Sequence, residues 1–153
     1  MFKRIWYKIK RFFKWLLFAD HQIMLGRVPI TLKGLKWELH ITDVDPNPSV
    51  PHLHCIENKN RKINIYDGEV YDDGINVGLL NRKEFNALWH DKKFLDMVKK
   101  SRDFYSKYFP NYKLVDIPFC LDDIDENIII SRGENKNQLI IEYKKEKRRK
   151  KND

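Results

Sequence analysis

Hydrophobic positions in this chain change period along its length, and each change marks a different element. Over residues 2–18, Phe2, Ile5, Trp6, Ile9, Phe12, Phe13, Leu16 and Leu17 recur at helical spacing, and basic residues fill the opposite side. This predicts an amphipathic helix. Tyr7, Trp15 and Phe18 fall outside the stripe, so it is apolar on more than one side and needs its own domain, a partner protein or a lipid surface to cover it. From Val28 to Ile41 the period becomes two. Leu35, Trp37, Leu39 and Ile41 fall on one face, with Lys36, Glu38 and His40 on the other, as in a half-buried strand preceded by a turn or bulge at Gly34. A proline-rich loop, 43–51, follows. Short strands are expected at His52–Glu57 and Lys62–Tyr66 around a turn at 58–60, with further turns at Asp67-Gly68 and Asp73-Gly74.

Asn81 and Glu84 have capping-box spacing, and Leu80 and Phe85 have staple spacing, so a helix starts at Asn81 with Phe85, Leu88 and Trp89 on its apolar side. A break near His90–Lys93 introduces a second helix that ends before Pro110. A strand near Leu114–Ile117, an acidic loop (Asp122, Asp123, Asp125, Glu126) and a hairpin of Asn127–Arg132 with Gln138–Tyr143 around Gly133 complete the reading. The expected fold is α+β: a small, mostly antiparallel sheet with helices on one face, plus the basic N-terminal helix. The domain reading is a helix over 1–20, one α+β domain over 21–143, and a basic disordered tail over 144–153.

Charge changes this picture more than composition does. Residues 1–18 hold six basic side chains and no acidic ones, and residues 144–151 hold seven basic side chains and one Glu. The ends together carry +12 against +8 for the whole chain, which leaves the body at −4. A mildly acidic body with basic ends points to a polyanionic partner, either nucleic acid (RNA or DNA) or a membrane surface. The candidate phosphate contacts are Lys3, Arg4, Lys8, Arg11 and Lys14 on the helix and Lys147, Arg148, Arg149, Lys150 and Lys151 in the tail. The apolar run Trp15–Ala19 is too short to span a bilayer and carries no cleavage-site pattern, so the expected location is cytoplasmic or peripheral to the inner membrane. Cys55 and Cys120 have no close spacing and are expected as two buried free thiols.

Pro51-His52-Leu53-His54 is the sharpest local motif. On a strand, His52 and His54 project from one face about 7 Å apart, away from Leu53. If they carry chemistry they must be partly exposed. His40 joins them if its strand pairs with theirs, and Asp45, with Asp43, lies on the intervening loop where a carboxylate can orient an imidazole. The catalytic candidates are therefore His52, His54, His40 and Asp45. No cofactor and no metal site is expected from spacing alone, because a third ligand is not placed.

Residues 50–92 carry Pro51-His52-Leu53-His54, then Lys62-Ile63-Asn64-Ile65-Tyr66, Asp67-Gly68-Glu69-Val70, a leucine pair and a helix containing Trp89. This order resembles an uncharacterised bacterial family with Pro-His-Phe-His, a short strand, a Thr-Gly-Glu-Val-like turn and a Trp-bearing helix, encoded near toxin–antitoxin or mobile-element genes. Leu53 stands where that family usually has Phe, and Asp67 where it often has Thr. The resemblance implies a defence or toxin–antitoxin setting and no particular activity. Three functions follow: an accessory nucleic-acid-binding module of such a system, a small nuclease using His52 and His54, or a peripheral membrane protein anchored by residues 2–18.

Overall fold

The computed structural model describes residues 30–135 and 138–144. The N-terminal helix, with Lys3, Arg4, Lys8, Arg11 and Lys14, lies outside the described residues, as does the tail from 145 onward, with Lys147, Arg148, Arg149, Lys150 and Lys151. Six strands, β1 (Ile30–Leu32), β2 (Leu35–Leu39), β3 (His52–Cys55), β4 (Arg61–Asn64), β5 (Glu69–Asp72) and β6 (Ile75–Leu79), form one antiparallel meander in sequence order. Helices α1 (Arg82–Trp89) and α2 (Lys92–Tyr108) follow, then a short 3-10 turn at Leu121–Asp123 and a separate hairpin, β7 (Ile128–Arg132) with β8 (Leu139–Tyr143). The fold is α+β.

Local chemistry explains the turns. Lys33 and Gly34 both have positive φ (50° and 71°), as do Asp73 and Gly74 (50° and 80°), the requirement of two-residue type I′ hairpin loops. The meander curls: a Cβ added to Gly78 on β6 would meet the Lys33 ammonium of the β1–β2 turn at 3.0 Å, so the first turn reaches the last strand. The Lys33 backbone N–H also donates to Glu84 Oε1 at 2.8 Å, tying that turn to the start of α1.

Register sets the two faces. Leu39, Leu53, Ile63 and Val70 are successive cross-strand partners and all are buried. They share a core with Trp37, with Phe85, Leu88 and Trp89 of α1, with Phe94 and Val98 of α2, and with Ile130 and Leu139 of the hairpin. Asn81 caps α1 through the full capping box, and Asp91 caps α2 by accepting from the Phe94 N–H at 2.8 Å. The opposite face carries a polar row in direct register: Glu38, His54, Lys62 and Tyr71.

Several expectations need correction. No strand forms at Leu114–Ile117. Val115 and Ile117 pack singly against the core as an irregular strap that has no neighbouring strand to pair with. The hairpin of residues 127–143, by contrast, forms where expected, as a separate two-stranded sheet that packs on α1, where Asn86 Oδ1 accepts from the Ile130 N–H at 2.7 Å. Strands β5 and β6 are not among the expected ones: β5 is four residues with charged ends, and β6 alternates Ile75, Val77 and Leu79 with Asn76 and Gly78 but leaves Ile75 and Val77 exposed on the edge. Cys55 is buried and free, but Cys120 is exposed and free, since it lies in the strap rather than the sheet.

Candidate functional site

The site forms where the 40–51 loop folds back over the polar face of β3. Glu38 lies opposite His54 in the β2–β3 ladder, so His40, just past the end of β2, comes over the same face. The His40 and His54 rings stack at 4.4 Å with 15° between planes, and the His52 and His54 rings lie 4.5 Å apart. The two-residue period thus brings all three predicted histidines together. The fourth predicted residue, Asp45, turns instead to Lys62, whose ammonium it accepts, and Asp43 takes the position against the imidazoles.

Asp43 Oδ2 lies 2.5 Å from His54 Nε2 and 3.3 Å from His52 Nε2. Burial pushes the Asp43 carboxyl up. The hydrogen bond from His54, the Asp45 N–H and the neighbouring imidazoles outweigh that and hold it at about 2. The loop supports this arrangement itself, because the Asp45 N–H donates to Asp43 Oδ1 at 2.9 Å.

The two members of the His-x-His pair are unequal. The His52 side chain is 1% exposed, against 17% for His54 and 31% for His40. His52 therefore fails the partial exposure that a chemical role requires of it: the 43–51 loop covers it, with Ser49, Val50 and Pro51 all buried. His52 Nδ1–H donates to the Ser49 carbonyl at 2.8 Å, which leaves Nε2 as the lone-pair nitrogen of the neutral ring. That Nε2 is buried without a hydrogen-bond partner. Burial, opposed by the Asp43 charge, pushes the His52 ring down to about 4. The groups that can meet a substrate are His54, His40 and Asp43.

A second small core closes the site from the far end of α2. Val50 packs with Phe104 and Tyr105, and Tyr66 Oη donates to the Val50 carbonyl at 2.7 Å while Arg102 donates to Tyr66 Oη at 2.8 Å. Tyr105 Oη is buried without a hydrogen-bond partner, and burial together with the Asp43 and Asp45 charges raises its phenol. Nothing local in the sequence singles out Tyr105, which lies some fifty residues from the loop it packs on. Lys62 had one signal, its place opposite His54 once β3 and β4 pair. Beside this row lies an open depression of about 590 Å³ lined by Asn47, Pro48, Lys59, Lys62 and Tyr71, among others.

The acidic loop makes ordinary structural contacts. Asp122 pairs with Lys99 of α2 at 2.8 Å, and Lys144, the first residue of the basic tail, donates to the Glu126 carbonyl. No helix among the described residues is long and apolar enough to cross a membrane. No protein-family model, curated protein or solved structure matches this chain.

Proposed function

We propose that this protein acts on nucleic acid as a small histidine-dependent phosphodiesterase, holding the phosphate backbone with its basic ends and cleaving at the His40–Asp43–His54 corner. One observation carries the reading: three imidazoles and a firmly ionised carboxylate converge at one half-buried corner of the sheet, beside a lysine-lined depression. Within the cluster Asp43 and His52 carry strongly shifted protonation, as groups at sites that move protons often do. Asp43 orients the His54 ring by accepting from Nε2, which leaves Nδ1 to take a proton from the attacking oxygen or to return one to the leaving oxygen. Lys59 supplies positive charge for an anionic substrate, and Lys62 does so by exchanging its Asp45 partner for a phosphate.

The reading that rests on charge alone is binding without chemistry, by an accessory module of a bacterial defence or toxin–antitoxin system working in the cytoplasm. The segregation of +12 to the ends supports it, and the resemblance over residues 50–92 favours that setting. Incubating the full chain with single- and double-stranded RNA and DNA separates the two. The expected result is cleavage of at least one substrate and its loss in His54→Ala, with the fold retained by circular dichroism. Salt-sensitive binding with no cleavage under any divalent-ion condition leaves the accessory-module reading standing instead. Salt-resistant association with anionic vesicles moves the membrane-anchor reading forward.

A further inference from the structure

We infer that the histidine corner is a binding site for a divalent transition metal of the zinc class, held by His40, Asp43 and His54, with the bare Nε2 of His52 facing the Asp43 carboxylate from the buried side. The inference concerns the same corner as the hydrolase reading but rests on the arrangement of donor atoms and not on any activity; with a metal on Nε2, His54 would carry its proton on Nδ1 and would hold the ion rather than act as the base.

Ring-nitrogen accounting comes first. His52 Nδ1 is committed to the Ser49 carbonyl, and His40 Nε2 lies 2.9 Å from Glu38 Oε1. Carbonyls and carboxylates only accept, so each of these nitrogens is the N–H of its ring. The other nitrogens, His52 Nε2 and His40 Nδ1, are then lone-pair atoms in the neutral rings. An imidazole with one nitrogen tied to a carbonyl or carboxylate and the other left bare is the usual state of a metal-ligating histidine.

The second observation is independent. His52 Nε2 is a buried acceptor with no hydrogen-bond donor, and its nearest charged neighbour is another acceptor, Asp43 Oδ2, at 3.3 Å. A buried lone-pair nitrogen set against a partly exposed carboxylate oxygen is costly unless a proton or a metal cation lies between them. Burial leaves no room for a substrate to reach this nitrogen, so a small ion fits the position better than any organic ligand.

The distances agree with such an ion. Ligands held about 2.1 Å from a tetrahedral metal stand about 3.4 Å apart. The His52–Asp43 separation of 3.3 Å already meets this value. The His54–Asp43 contact of 2.5 Å is held by the proton on His54 Nε2, and it must open by about an ångström when that proton is exchanged for metal. His40, Asp43 and His54 each offer a ligand atom within 4.8 Å of the others. The donor set is imidazole and carboxylate without sulfur, because Cys55 points from β3 into the core beside Trp37. Nitrogen with oxygen suits zinc and its neighbours better than calcium or magnesium.

The test uses the full chain after chelator treatment, titrated calorimetrically with Zn²⁺ and followed by visible absorption with Co²⁺. Stoichiometric binding is expected, with proton release and a low-symmetry Co²⁺ spectrum. His40→Ala, at the most exposed of the three rings, and His54→Ala should each weaken Zn²⁺ by more than about tenfold. His90→Ala should leave affinity unchanged, because His90 caps the C-terminus of α1 and is not one of the clustered ligand residues. Absence of stoichiometric Zn²⁺ or Co²⁺ binding by the wild-type chain, or equal affinity in His40→Ala, His54→Ala and wild type, overturns the site. Binding without nucleic-acid cleavage keeps the metal site and removes the nuclease reading. Cleavage that survives chelation in a chain that binds no metal does the reverse.

Discussion

The two faces of the six-stranded sheet are made by the same strands and treat polar atoms in opposite ways. On the core side the buried polar groups are paired: Trp37 Nε1 donates to the Leu32 carbonyl at 3.0 Å, and Trp89 Nε1 to the Ile65 carbonyl at 3.1 Å. On the histidine side, His52 Nε2 and Tyr105 Oη are buried and unpaired, the two such side-chain atoms found among the described residues. An unsatisfied buried polar group costs about 1–3 kcal/mol. The core face thus avoids this cost, whereas the histidine face bears it at two atoms.

The largest expected effect tests the core side. Trp89→Ala removes a fully buried ring that packs edge-on to Phe94 and Phe119, and it should cost about 3–5 kcal/mol in denaturant unfolding. A loss under about 1 kcal/mol would show that the core face does not hold the fold together, and the contrast would fail.

Acid should act on the other face. Because His52 is held down at about 4 from 6.5, the unfolded chain binds its proton more readily than the folded one. Stability therefore falls as pH drops from 6.5 to 4, by about 3 kcal/mol for the metal-free protein. Asp43, also depressed, adds its own loss as pH falls from 3.8 towards 2. Unfolding free energy measured against pH in the wild type and in His52→Gln checks this, since the variant should lose the slope between 6.5 and 4. An unchanged slope would place the sensitive group elsewhere.

Lys62→Met should have the smallest effect on stability and sharpen the contrast furthest. Its ion pair with Asp45 is partly exposed, so unfolding should shift by less than about 1 kcal/mol. Nucleic-acid affinity should still weaken, with the salt slope reduced by about one phosphate contact. A stability loss like that of Trp89→Ala, with binding intact, would make Lys62 part of the scaffold.

Much of the scaffold was legible because its signals are short-range. Asn81 with Glu84, the residue type at Gly34 and Gly74, and the alternation from Leu35 to Leu39 each act within a few residues of themselves. Strand β5 is not legible because what makes it a strand is the β4 edge and the Asp73-Gly74 turn, and the short alternation of β6 is interrupted by Gly78 and points its apolar Ile75 and Val77 outward. Val115 and Ile117 alternate without forming a strand, since alternation needs a partner edge to become one.

The candidate site divides along the same line. The sequence by itself determined that His52 and His54 share a face, because the strand period is two, and that His40 joins them once β2 and β3 pair. The folded chain adds that His52 is sealed while His54 and His40 stay open, that Asp43 rather than Asp45 meets the rings, and that Tyr105 packs on Val50 near enough to feel both carboxylate charges. Desolvation is the reason. How far a group is removed from water depends on which distant segments fold over it, here the 43–51 loop and the last turns of α2, and no spacing within the motif encodes that.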